Sequence, residues 1–306
     1  MNSLKTLATA SVTIALWLSA PAHAALRVLA CEPEWGALVQ ELGGPLVDVS
    51  VATTALQDPH RIQARPSLIA RARNADLLVC TGAELEVGWL PVLLQQSGNA
   101  KIQPGQPGHF AAADVVRKLD VPAQVDRSLG DVHAAGNPHI QTDPRNLARV
   151  ATALTARLQQ LDAGNARAYA DRAQDFQRRW QQAMARWAAK AAPLQGLPVV
   201  SQHKAFSYLY DWLGMREIAV LEPKPGVEPS VSHLQQVLAS LKAQPARLVV
   251  YAAYQDGRPS EWLQKNAGMP AVRLPFTVGG SDGAKDLFGL FDDTVDRLLA
   301  AAGAAR

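Results

Sequence analysis

The sequence predicts an α/β protein made of two (β/α) domains with parallel four-stranded sheets, joined by a long rigid α-helix. Three observations predict it. Short apolar runs alternate with amphipathic stretches of helical period in both halves of the chain, the pattern of βαβ units with parallel strands. One helical pattern runs unbroken between the halves. At 306 residues the chain exceeds the usual size of a single hydrophobic core, so two domains are the natural division.

Residues 1–24 are expected to be an export signal. Lys5 supplies the positive start, Leu7 to Ala20 is apolar, and Pro21-Ala22-His23-Ala24 ends in a small-x-small cleavage pattern. The apolar run falls short of the ~20 residues that a spanning helix needs. The mature chain is therefore expected outside the cytoplasm, in the periplasm, as a soluble monomer.

The first domain is placed at 25–161. Arg27–Ala30 reads as a strand, Glu34–Leu42 as a helix and Val47–Thr53 as a strand. Pro66–Asn74 reads as a helix with its proline at the first turn. Asp76–Cys80 reads as a strand and Val87–Gln96 as a helix. Residues 103–137, rich in Pro and Gly, read as irregular with one short strand. Asp143–Gln160 is amphipathic and helical.

The linking helix is placed at 162–192, with Asp162 as its N-cap. Tyr169, Ala173, Phe176, Trp180, Met184 and Trp187 recur at steps of three and four, a core-facing stripe. Such a rod is about 45 Å long, too long for a crossover inside one small sheet. It is read as a strut between two domains.

The second domain, 193–306, repeats the logic of the first. Leu197–Ser201, Glu217–Leu221, Arg247–Tyr251 and Ala271–Pro275 read as strands. Ala205–Leu213 (closed by Gly214), Val231–Ala243 (capped by Ser230), Pro259–Ala267 and Lys285–Ala302 read as helices.

Composition excludes some functions. Hydrophobic residues make up 48% and charged residues 19%, ordinary for a folded chain, and the net charge of +3 is too mild to attract nucleic acid. Cys31 and Cys80 each end an apolar run. On neighbouring parallel strands they would lie close together, which fits a disulfide in an oxidising compartment and equally fits two separate buried thiols.

Four residues share one kind of address. His60 follows the second strand, His139 precedes a helix, His203 follows a strand, and Asp282 lies in the loop entering the last helix. Strand-to-helix loops line the ligand-binding edge of open α/β sheets. Two such edges facing each other would gather three imidazoles and a carboxylate, a set that suits zinc; manganese prefers more oxygen. Proline precedes both His60 and His139 and stiffens those loops. His133 is the auxiliary candidate, while His109 and His233 are read as surface residues.

At these residues the chain resembles the periplasmic solute-binding proteins of zinc and manganese ABC importers, in their zinc-type, ZnuA-like branch. Gln57-Asp58-Pro59-His60 with Arg65-Pro66-Ser67, Asn74-Ala75-Asp76-Leu77-Leu78-Val79, Gly136-Asn137-Pro138-His139 with Thr142-Asp143-Pro144, Leu161-Asp162 with Asn165-Ala166 and Tyr169, and the strand-borne His203 carry the likeness. The resemblance implies two (β/α) domains, a backbone helix, and a metal site at the interface. It implies ligands at His60, His139, His203 and an acidic residue of the last βα loop, for which Asp282 is chosen over Asp286, Glu222 and Glu228. Manganese-type members typically carry a carboxylate where this chain has His203. The long His- and Asp-rich loop of many zinc-type members is absent here, leaving His133 and Asp131 before His139.

The function expected is capture of Zn2+ between two domains and its delivery to the membrane permease of an ABC importer, with a periplasmic metal donor as a further candidate partner. The alternatives are a manganese or other divalent-metal carrier of the same class, a secreted zinc hydrolase with Glu32 or Glu34 as general base, and an α/β binding protein for a siderophore or vitamin. No catalytic residue is assigned.

Overall fold

Two parallel sheets with the same strand order are laid down one after the other. β1 (Leu26–Ala30), β2 (Val47–Val51), β3 (Leu77–Cys80) and β4 (His109–Ala111) form the first, in the order β2-β1-β3-β4. β5 (Pro198–Ser201), β6 (Arg216–Val220), β7 (Leu248–Ala252) and β8 (Ala271–Leu274) form the second, in the order β6-β5-β7-β8. Every pairing is parallel. The computed structural model describes residues 24–124, 130 and 132–304, so the expected leader, apart from Ala24, and Asp131 lie outside the described residues. Among the described residues no helix is long and apolar enough to cross a membrane.

The helices of the first half are α1 (Pro33–Gly43), α2 (Pro66–Asn74), α3 (Leu90–Ser97) and α4 (Pro144–Leu161). Each has a proline in its first turn, where the missing N–H costs no hydrogen bond. α5 (Ala166–Ala191) follows, then α6 (Ser207–Leu213), α7 (Val231–Ser240), α8 (Arg258–Ala267) and α9 (Leu287–Ala304). Asp143 caps α4 by accepting from the Arg145 amide, and Ser230 caps α7 by accepting from that of His233. Gly214 ends α6 at φ +66°, a backbone state that costs glycine nothing.

Strand alternation sends residues to opposite sides of each sheet. Val28, Ala30, Leu77 and Val79 face one large core; Leu29, Cys31, Leu78 and Cys80 face a smaller one under α2 and α3. The second sheet repeats this, with Val199, Leu248 and Val250 facing the large core and Val200 and Val249 facing α7 and α8. Both sheets therefore turn one face to a shared core, and α5 runs through it. Tyr169, Phe176, Trp180 and Trp187 are at most 1% exposed. The Trp180 indole stacks on Phe176, meets Phe288 and Phe291 of α9 edge-on, and donates to the Pro144 carbonyl (2.8 Å). The aromatic stripe is thus the core that ties the two halves together.

Asp162 does not cap the long helix. A short 3-10 turn, Ala163–Asn165, intervenes, and the Asp162 carboxylate instead accepts from the Tyr169 hydroxyl (2.8 Å) and the Asn165 amide (2.8 Å). Those two donors compete better for the carboxylate than the α5 amides beyond the turn. Cys31, directly after β1, and Cys80, the last residue of β3, form a disulfide with a Cα–Cα distance of 4.8 Å.

Candidate metal centre

The loop after β2 carries Asp58-Pro59-His60. The buried Trp89 indole donates to the Pro59 carbonyl (2.8 Å) and pins the loop from beneath. Asp58 Oδ1 accepts both from the His60 backbone amide (3.0 Å) and from His60 Nδ1 (2.7 Å). Asn137-Pro138-His139 repeats the device: Asn137 Oδ1 accepts from the His139 amide (3.0 Å) and from His139 Nδ1 (2.8 Å). The Asn137 amide group donates in turn to the Lys204 carbonyl (2.8 Å), beside His203 and across the two halves. His203 follows β5, and its Nδ1 meets Glu222 Oε2 (2.7 Å), just after β6.

These partners set the tautomers. An ionised carboxylate and an amide oxygen only accept, so each Nδ1 carries the proton and each Nε2 keeps its lone pair. The Nε2 atoms of His60, His139 and His203 are buried and find no hydrogen-bond partner in the protein. One ligand atom from each lies within 4.8 Å of the others. The rings sit edge to face, with centroids 5.2 to 5.9 Å apart. Bonds of about 2 Å to a central cation suit such a triangle. Burying three lone pairs without donors is costly unless an electrophile takes them.

Electrostatics agrees. Burial pushes Asp58 up, but the hydrogen bonds and charge of His60 outweigh it and hold the carboxyl below its ordinary value. His139 is held well below the ordinary imidazole value by burial, and then by repulsion from His203, His60 and His133. Asp58 and Glu222 together supply two negative charges behind the rings, which match a divalent cation.

The structure thus brings together three of the residues picked out above. His133 joins them at the rim, its ring stacked on that of His60 at 5.4 Å. Asp282 is not brought in: it is exposed and belongs to no cluster of metal-ligating groups among the described residues. Asp286 is also exposed, and its carboxylate accepts from the Gly289 amide. Phe276 lies edge-on to His139 at 5.7 Å. His109 and His233 are half-buried rather than surface residues; His109 Nδ1 lies 2.9 Å from the Ile102 carbonyl. Glu32 and Glu34 are buried at 3% and 1% exposure, deeper than a favourable helix-dipole position requires. Cys31, Cys80 and Glu86 also lie close together, but the disulfide occupies both sulfurs.

A cavity of about 540 Å³ opens beside the rings, walled by His60, His203, Asp58, Glu222, Tyr254 and Trp262. The sequence pattern assigns no role to Asp58 or Asn137 and leaves Glu222 as a substitute ligand. An Asx two residues before His60 and before His139, with proline between, is the signal that marks the first two. Glu222 has no local signal, because strand pairing brings it to His203.

The sequence profile of the family "Zinc-uptake complex component A periplasmic" matches residues 28–301. The chain is 21% identical over 246 residues to the high-affinity zinc uptake system protein ZnuA of Bacillus subtilis, covering 78% of this chain and 74% of that one. It is 20% identical over 256 residues to the manganese ABC transporter substrate-binding lipoprotein PsaA of Streptococcus pneumoniae, covering 82% and 80%. A crystal structure of ZnuA superposes with a TM-score of 0.75 at 21% identity, over 91% of this chain and all of that one. With three imidazoles converging between two parallel sheets, the chain belongs to the periplasmic zinc-uptake component A family, the metal-binding substrate-binding proteins of ABC transporters, and is a binding protein rather than an enzyme.

Proposed function

We propose that this protein captures Zn2+ with Nε2 of His60, His139 and His203 and delivers it to the permease of an ABC importer. The observation that carries the reading is the set of three buried Nε2 atoms without protein partners, each ring oriented through Nδ1. Three nitrogen donors with no carboxylate among them favour zinc over manganese. Competition with a chelator is expected to show zinc bound at least roughly 100-fold more tightly than manganese. Comparable affinities would overturn the choice of metal while leaving a metal carrier.

Residues 1–24 serve in this reading as the export leader, 25–161 and 193–306 as the two binding domains and 162–192 as the strut between them. The protein works in the periplasm as a monomer, loaded by free zinc or by a periplasmic donor. His133 guards the rim.

Two expected results follow from the hydrogen bonds. Glu222→Ala removes the acceptor that orients His203 and should weaken zinc binding by about 10- to 100-fold, read by the same competition. Protons compete with the cation for the same nitrogens, so affinity should fall as the pH is lowered. An affinity that stays flat between about pH 8 and about pH 5 would exclude imidazole ligation.

A further inference from the structure

Three carboxyl groups lie in the interior beside the shared core, outside the lining of the cavity beside His60 and His203. Glu32, Glu34 and Glu86 are 3%, 1% and 2% exposed. Among the described residues none has an ion pair to lysine or arginine. Glu86 accepts from the Thr81 and Gly82 amides (2.8 and 3.1 Å), and Glu32 accepts from the Thr81 hydroxyl (3.2 Å). Burial first, and then the neighbouring Glu86 and Glu34 charges, push the Glu32 carboxyl well above its ordinary value. The backbone is bent to build this cluster: Gly82, Ala83 and Glu84 all have positive φ, at 77°, 49° and 67°.

Glu34 is the member that leaves the first half. Its Oε2 accepts from the hydroxyl of Thr277 (2.5 Å), which lies beyond β8 in the second half. Thr277 follows Phe276, whose φ is +65°, a conformation strained for an aromatic residue. The Thr277 amide closes the turn onto the Pro275 carbonyl (2.8 Å), the short i to i+2 bond of a γ-turn. Such a turn persists when both sides hold it. On one side the Phe276 ring packs edge-on against His139, Phe206 and Tyr254. On the other stands the Glu34–Thr277 bond.

Resting on the reading of His139 as a ligand, we propose that Glu34 and Thr277 are positioning residues for the zinc centre. Their hydrogen bond holds the Phe276 turn against His139, and protonation of Glu34 slackens it, so acid releases zinc more readily than imidazole titration alone would. The groups facing Glu34 are Glu86 and Glu32 from the first half and the uncharged Thr277 from the second. Burial pushes Glu34 up to about 7, against the hydrogen bonds from Thr277 and the backbone and with help from Glu86. Above that value the acceptor is charged and the bond to Thr277 strong; below it the acceptor is neutral and the bond weaker. By linkage, zinc binding that needs the seated turn favours ionised Glu34 and expels its proton.

The test measures zinc affinity of the full chain by chelator competition between about pH 8 and about pH 6, and counts protons released from binding heats in buffers of different ionisation enthalpy. Glu34→Gln keeps an oxygen acceptor but cannot titrate. Being neutral at every pH, it should bind roughly fivefold more weakly than wild type at the upper pH, converge with wild type on acidification, and release fewer protons. Thr277→Val should dissociate roughly tenfold faster at the upper pH and show the same shallower pH profile. Thr277→Ser, which keeps the hydroxyl, should restore wild-type behaviour and guards against a mere folding defect in the valine variant. A wild-type pH profile and proton count in Glu34→Gln overturns the proposal. If alanine at the three histidines still abolishes binding in that event, the metal-carrier reading stands without it.

Discussion

Alanine at His60, at His139 or at His203 is expected to lower zinc affinity by at least roughly 100-fold each, whereas Asp282→Ala should stay within about twofold of wild type. The contrast follows from position. Each histidine supplies one of three converging nitrogens, and removing one leaves a two-point site in which the remaining lone pairs still bear the cost of burial. Asp282 is exposed and lies outside the group of converging donor atoms. Chelator competition on the purified variants, with circular dichroism to confirm folding, reads the result. Unchanged affinity in all three histidine variants would end the transport proposal; a large loss in Asp282→Ala would require the last loop to fold onto the site when metal arrives.

The largest stability effect is expected far from the metal. Trp180→Ala should destabilise the protein by about 3–5 kcal/mol, as other buried aromatic truncations do. Trp180 is fully buried, packs on Phe176, Trp187, Phe288 and Phe291, and donates to Pro144. The substitution therefore opens a cavity where both halves meet and removes the indole's hydrogen bond to the Pro144 carbonyl. At roughly 2–4 °C per kcal/mol for chains of this size, the melting temperature should drop by roughly 6–20 °C. Trp180→Phe should recover part of the loss, since it refills much of the cavity but cannot donate to the Pro144 carbonyl. A drop of only a degree or two would mean that the halves are held together without α5.

Much of this was legible in advance. Among the described residues, seven of the eight strands and the nine α-helices lie where apolar periodicity and breakers place them, with ends shifted by a few residues; β4 falls in the stretch 103–137, which reads only as irregular with one short strand. Periodicity reads local geometry, and in this chain local preference and tertiary packing agree. Asp162 shows the limit: its capping role looked right by pattern, but a 3-10 turn and the Tyr169 hydroxyl drew its carboxylate away. Asp282 shows another. Loop addresses tell which residues border an edge, not which side chains turn inward, and the turn at Phe276 fills the flank of His139 with a ring. Glu32 and Glu34 sit at the start of a helix, where acidic side chains are commonplace; their burial depends on Glu86, Thr81 and Thr277, distant in sequence.

Apolar spacing, prolines and caps along the chain determined two parallel sheets and a long helix, because those signals act between near neighbours. The histidines were candidates on the same evidence. Only the tertiary structure decided that three of their nitrogens meet, that Asp58, Asn137 and Glu222 hold them by the opposite side of each ring, and that Asp282 stays outside. Convergence is a property of how two sheets pack around α5, and packing sums contacts between residues that the linear order keeps far apart.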